Sequence, residues 1–218
     1  MTEYDGLLCD HDGVLVTLTE WSRLREAAHE ALLKVGVSDP SPGDADAITV
    51  DVSLEELKRV ARCHDVTPED VWKSREDRFQ GLMNEATRAG DKRPYDDVSA
   101  LHAVEQPTGI VSNNQRRVVE FILNQYGLTD LFGTVRARDP SVESLDRKKP
   151  SPTYLERAMA DLDCSNPLYV GDSESDVVAA GRADLDVAFI RRSHNADTSL
   201  DARPTYTVDG LDEVVDLV

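Results

Sequence analysis

Residues 7–16 read LLCDHDGVLV: an apolar run, two aspartates one residue apart at Asp10 and Asp12, then a glycine and three more apolar residues. A short apolar run ended by Asp-His-Asp-Gly reads as a buried strand running out into a polar turn. Carboxylates at the end of a buried strand repel each other and lose hydration unless a cation sits between them. One answer is a metal ion with an anionic substrate; the other is a plain turn. The pattern of the remaining chain decides between them.

Working outward, the stretch from residue 16 to about 92 is mostly helical. Trp21, Leu24, Ala28 and Leu32 recur at helical spacing up to Gly36, and SLEELKRVARCHD opens with Ser53 and Glu56 as a capping box. TPEDVWKSREDRFQGLMNEA begins with Thr67 as cap and Pro68 at the first helical position, while SDPSPGDAD at 38–46 reads as loop. Beyond RPYDDV the pattern alternates. SALHAVE reads as helix, TGIVSNN as strand and polar turn, QRRVVEFILNQYG as helix, FGTVRARD as strand, SPTYLERAMADL as helix and PLYVGDS as strand. ESDVVAAGRAD, VAFIRR and LDEVVDLV continue as helix, strand and helix. Alternation of this kind predicts an α/β fold with a doubly wound parallel sheet. The strand at 4–9 must join that sheet, so residues 1–15 and 93–218 are expected to form the core domain and 16–92 an inserted α-helical domain.

In such sheets ligands bind at the carboxyl ends of the strands. Asp10 and Asp12 follow one strand, Ser112 and Asn113 a second, and Asp172 and Asp176 a third, with Lys148 and Lys149 in a loop that could reach the same edge. Those groups suit a phosphate ester. Asp10 can attack phosphorus, Asp12 can protonate the leaving oxygen, and Gly13 allows the sharp turn. Asp172 offers Mg²⁺ a second carboxylate, with Asp176 one helical turn on. Ser112 and Lys149 offer a hydroxyl and a point charge to the phosphoryl oxygens.

LLCDHDGVLV, TGIVSNN, RKKPSPTYLERA and LYVGDSESDVVAAGRAD resemble, in order, the four motifs of the haloacid dehalogenase superfamily of hydrolases. RPYDDV and KPSPTYL resemble its phosphoglycolate-phosphatase-like branch. The resemblance implies a Rossmann-like core with a helical cap at 16–92 and a Mg²⁺-dependent phosphatase acting on a small phosphorylated metabolite. It makes Asp10 nucleophile and metal ligand, and Asp12 general acid/base with its carbonyl on the metal. Ser112, Asn113 and Lys149 become phosphoryl-binding, and Asp172 and Asp176 metal-binding. Lys149 is preferred to Lys148 because the family sets its lysine directly before proline. His11 stands where an apolar residue is frequent and Thr17 where an aspartate is. The alternatives are a sugar phosphomutase, a 2-haloacid dehalogenase, which typically lacks the second aspartate, and a non-catalytic ligand-binding or regulatory protein.

Composition bounds the partners. Forty-two acidic residues, 27 of them aspartate, oppose 24 basic ones, 18 arginines and six lysines, for a net charge of −18. Such a surface repels nucleic acid and anionic membranes, and the aspartate-rich, lysine-poor balance resembles haloarchaeal proteins. No apolar run reaches a membrane span and the N-terminus lacks a signal-peptide pattern, so a cytoplasmic protein is expected. Cys9, Cys63 and Cys164 are too few and scattered for a disulfide framework, with Cys9 expected in the core. His29, His64, His102 and His194 stand in no motif and read as surface or structural residues.

Overall fold

The computed structural model describes residues 4–218. They divide into two compact units, one comprising the chain up to Leu18 with Arg93–Ala137 and Arg147–Val218, the other Thr19–Lys92 with Arg138–Asp146. Among the described residues no helix is long and apolar enough to cross a membrane.

The first unit carries six strands: β1 Leu7–Cys9, β2 Thr108–Gln115, β3 Thr134–Arg138, β4 Leu168–Gly171, β5 Val187–Ile190 and β6 Tyr206–Val208. Their order is β3-β2-β1-β4-β5-β6. β1 runs parallel to both β2 and β4, with Cys9 opposite Ile110 on one side and Val170 on the other. Strand order therefore reverses beside β1, and the crevice beyond its carboxyl end is where a ligand is expected. β1, β4 and β5 are buried throughout, as apolar strands covered on both faces must be. Leu8, Val111, Tyr169 and Phe189 pack against Leu155, Ala158, Ala179 and Ala180 of two covering helices. Cys9 is fully buried, and burial pushes its thiol up to about 12.

The helices of the second unit follow the expected pattern with one addition. They are α1 Trp21–Lys34, α2 Pro42–Ala47, α3 Leu54–Cys63 and α4 Pro68–Ala89. Ser53 and Thr67 cap α3 and α4 by accepting from the backbone N–H of Glu56 and Asp70, each at 3.1 Å. α1 buries Leu24, Ala27, Ala28, Ala31 and Leu32, while Trp21 stands 51% exposed, outside the apolar stripe assigned to it from spacing. α2 lies inside the stretch expected as loop. Ser41 caps it, accepting from Asp44 N at 3.1 Å and donating to Asp44 Oδ2 at 2.7 Å.

In the first unit, α5 Arg116–Tyr126, α6 Thr153–Leu162, α7 Glu174–Arg182 and α8 Leu211–Val215 fall within their expected segments. Three differences stand out. The stretch around SALHAVE is a 3₁₀ helix, Asp96–Ala103; Ser112–Gln115 continue β2 rather than turning; and β6 has no counterpart in the sequence reading. The two chain passages flanking the helical insertion are tied within this unit: Thr17 N donates to Arg93 O at 2.9 Å and Arg93 N to Thr17 Oγ1 at 3.1 Å.

Candidate active site

The end of β1 places Asp10 at the centre of the crevice. Its backbone N–H donates to Val170 O of β4 at 2.8 Å, and its Oδ1 accepts from His11 N at 2.7 Å. Gly13, at φ +82°, turns the chain under the site; a Cβ there would stand 1.9 Å from Asp172 Oδ2. Few side chains adopt that φ without strain, and none would clear that carboxylate.

Lys149 joins three strand ends. Its ammonium, 2% exposed, lies 2.9 Å from Asp10 Oδ1 and 2.6 Å from Asp176 Oδ1. It also donates to Tyr169 Oη at 2.9 Å and to Val111 O at 3.2 Å. Burial works against its charge, yet Asp10 and Asp176 outweigh it and raise the ammonium's pKa above its ordinary value. Asn113 holds the lysine's main chain from both sides, Lys149 N donating to Asn113 Oδ1 at 2.7 Å and Asn113 Nδ2 to Lys149 O at 3.0 Å. Its amide thus supports Lys149. Ser112, 1% exposed within β2, accepts from Asn114 N at 3.1 Å. Lys148 is less buried than its neighbour, so the lysine next to proline is the one drawn into the site.

Asp172 and Asp176 follow β4. Asp176 is saturated: Oδ1 accepts from Tyr169 Oη at 2.7 Å, and Oδ2 accepts from Asp172 N at 3.2 Å, Ser173 N at 3.0 Å and Ser173 Oγ at 2.5 Å. It therefore serves the α7 terminus and the lysine together. Burial opposes its charge, but Lys149 and these donors hold its carboxyl below the usual carboxylate value. Asp10 goes the other way: burial, with Asp176 and Asp172 adding to it, prevails over Lys149 and raises it well above that value. Asp172 is raised too, by burial and Asp176, against the pull of His194.

A carboxylate oxygen from each of Asp10, Asp172 and Asp176 falls within a cluster no wider than 4.8 Å. Asp10 Oδ2 and Asp172 Oδ1 accept no hydrogen bond among the described residues. Burial first, and then the mutual repulsion of three carboxylates around one buried ammonium, push Asp10 and Asp172 toward the neutral acid. An all-oxygen donor set of this charge fits a hard divalent cation such as Mg²⁺.

Asp12 lies beside this cluster. Its Oδ2 accepts from Asn114 Nδ2 at 2.8 Å and sits 3.2 Å from His11 Nδ1. Four residues that the sequence reading did not assign also contribute: Asn114 on Asp12, Tyr169 between Lys149 and Asp176, Asn195 on the Asp172 carbonyl at 2.8 Å, and His194, whose Nε2 lies 2.6 Å from Asp172 Oδ2. Asn114 was legible as the third polar residue of the Ser-Asn-Asn run that closes β2. Tyr169 reads as core, and a tip residue of an irregular loop such as His194 carries no spacing signal.

Residues 8–190 match the haloacid dehalogenase-like hydrolase family, and the match includes Asp10, Asp12, Lys149, Asp172 and Asp176. The chain belongs to that family. It is 36% identical over 97 residues to a phosphoglycolate phosphatase of Neisseria gonorrhoeae, covering 42% of this chain and 39% of the relative. It is 29% identical over 152 residues to an (S)-2-haloacid dehalogenase of a Pseudomonas species, covering 67% of this chain and 63% of the relative. The matched stretches thus span about two-fifths and just under two-thirds of these curated relatives. Among solved structures, CbbY from Rhodobacter sphaeroides in complex with phosphate superposes with a TM-score of 0.72 at 20% identity, over 97% of this chain and 96% of its own. That likeness shows the fold. Membership of the hydrolase family accounts for the order of these polar groups along the chain, and both the phosphatase and the dehalogenase are its relatives.

Proposed function

We propose that this haloacid dehalogenase-like hydrolase is a Mg²⁺-dependent phosphatase of a small phosphorylated metabolite, working through an aspartyl-phosphate on Asp10. The observation that carries the reading is Lys149, buried and bonded to Asp10 and Asp176 at once, with the proton-transferring candidate Asp12, two residues after Asp10, held by Asn114. The phosphoglycolate phosphatase relative and the phosphate bound in CbbY support the substrate class.

Asp10 attacks phosphorus in line, forming an acyl phosphate as the bond to the ester oxygen breaks; Asp12 gives that oxygen its proton. Asp12, now ionised, takes a proton from water, whose oxygen attacks the same phosphorus, freeing inorganic phosphate and restoring Asp10. Lys149 and the Ser112 hydroxyl hold the phosphoryl oxygens. Asp10, Asp172 and the Asp12 carbonyl would hold Mg²⁺, supported by Asp176, and the bound ion would supply charge neutralisation for the transferring group. Dehalogenation needs no proton for its leaving halide, so an anchored Asp12 favours phosphoryl transfer. The helical insertion is read as the element that selects the substrate and excludes water, and the cytoplasm as the compartment.

The test is phosphate release from phosphoglycolate, sugar phosphates and nucleotides with Mg²⁺ in high salt, alongside halide release from 2-haloacids. Phosphate release that chelation removes and Asp10→Asn abolishes, with circular dichroism unchanged, is expected. Near-normal phosphate release by Asp10→Asn would sink the mechanism, halide release without phosphate release would assign the dehalogenase, and phosphate release that depends on an added bisphosphate would point to a phosphomutase.

A further inference from the structure

The loop after β5, residues 191–198, belongs to no motif, yet side-chain hydrogen bonds tie it to the chain around it. Arg191 Nη1 donates to the carbonyl oxygens of Asn195 at 2.8 Å, Ala196 at 3.3 Å and Thr198 at 2.8 Å. Asn195, 5% exposed, accepts from Arg192 N at 2.7 Å through its Oδ1 and donates through Nδ2 to Ile190 O at 3.0 Å and Asp172 O at 2.8 Å. The Arg192 guanidinium grips both oxygens of Asp97, at 2.7 and 3.0 Å, and donates to Val14 O at 3.0 Å. Three side chains thus fix a short irregular loop on the β1 and β4 ends.

What that scaffold carries is His194. Its side chain is 23% exposed, so burial does not explain its place, and its Nε2 meets Asp172 Oδ2 at 2.6 Å. With Asp172 ionised, as a metal ligand must be, Oδ2 only accepts, and the hydrogen of this pair then sits on Nε2. The pair stands against bare backbone: a Cβ on Gly13 would meet Asp172 Oδ2 and come within 3.2 Å of His194 Cε1. The Asp172 carboxylate is thus confined on one side by a donor and on another by the glycine turn.

We propose that His194 is a positioning residue for the cation: by engaging Oδ2 it leaves Oδ1 as the oxygen for the ion, so that Asp172 binds through one oxygen in a fixed orientation. This rests on the metal reading of the site given above. A hydrogen-bond partner of this kind is worth about 10–100-fold in metal affinity. The role needs a donor at the Nε2 position and no nitrogen on the ion.

Binding of Mg²⁺, Mn²⁺ and Zn²⁺ to the full chain, measured by calorimetry without substrate, separates the possibilities. His194→Leu keeps the bulk, His194→Gln keeps a donor near Nε2, and Asp172→Asn is the control for the ligand itself. The expected result is Mg²⁺ and Mn²⁺ affinity weakened alike by about 10–100-fold in His194→Leu and largely restored in His194→Gln. Unchanged Mg²⁺ affinity in His194→Leu overturns the proposal while leaving the metal site standing. Loss confined to Zn²⁺ makes His194 a ligand and also overturns it. Failure of the unaltered chain to bind Mg²⁺ overturns the metal reading, and the proposal with it.

Discussion

Gly13 and Asp172 test each other. Alanine at position 13 meets two penalties, the strain of φ +82° and a methyl group 1.9 Å from Asp172 Oδ2. The first costs about 1–2 kcal/mol; the second is relieved only by moving the carboxylate off its place beside His194. Gly13→Ala is therefore expected to lose stability of that order in urea unfolding, and to lose Mg²⁺ affinity as well. Wild-type Mg²⁺ affinity in a destabilised Gly13→Ala would show that Asp172 need not stay where it is. At this scale the site was legible wherever chemistry coincides with a strand end. Asp10, Asp12, Asp172 and Lys149 each follow or precede a recognisable element. Tyr169 was not legible, because a phenol inside the run PLYVG reads as packing until its hydroxyl is seen between Lys149 and Asp176. Nor was His194, whose link to Asp172 spans 22 residues of irregular chain.

Among elements, the second unit holds two buried charge arrangements. Asp44 in α2 accepts from Ser41 and lies 3.0 Å from His64 Nε2; burial opposes its charge, but these partners hold its carboxyl down at about 2. A carboxyl depressed on folding stabilises fully above its ordinary value near 4 and loses that contribution as pH falls toward 2. The stability advantage of the unaltered chain over Asp44→Asn should thus shrink as pH drops through that window; an advantage independent of pH would assign it to packing. Glu76 in α4, fully buried, joins Arg75 Nη1 at 2.6 Å and Arg138 Nη2 at 3.1 Å. Burial, against the pull of Glu76, pushes Arg75 down to about 10, so it stays charged at neutral pH. Glu76→Ala strands two cations and is expected to cost about 3–5 kcal/mol in denaturant unfolding; a loss under about 1 kcal/mol would mean water reaches them. α2 escaped the sequence reading because six residues are too short for helical periodicity, although Ser41 and Pro42 form an ordinary helix start. β6 escaped because three residues at a sheet edge show no alternation worth counting.

For the whole molecule, 42 acids against 24 bases leave at least 18 negative charges with no cation to pair with. At about 1 M salt the Debye length is near 3 Å, so that repulsion is screened while buried groups such as Glu76 and Lys149 are not. Thermal midpoint should therefore rise from dilute buffer to molar KCl; a falling midpoint would refute the halophilic reading of the composition. The parallel sheet and the helical insertion were legible because alternating and helical periods separate cleanly along the chain. The grouping of Arg138–Asp146 with the helices was not, since it rests on contacts between distant residues: Arg138 on Glu76, and Trp72 Nε1 donating to Ser141 O at 3.2 Å. That grouping bears on how the chain is made. When Lys92 leaves the ribosome the four helices of the second unit are complete, but Arg138 and Ser141 are still 46 and 49 residues away. At roughly 5–20 residues per second, Glu76 waits several seconds without its second arginine and Trp72 without its carbonyl. Through that interval β2 and β3 are being synthesised, so the nascent helices finish packing only after half of the sheet's strands exist.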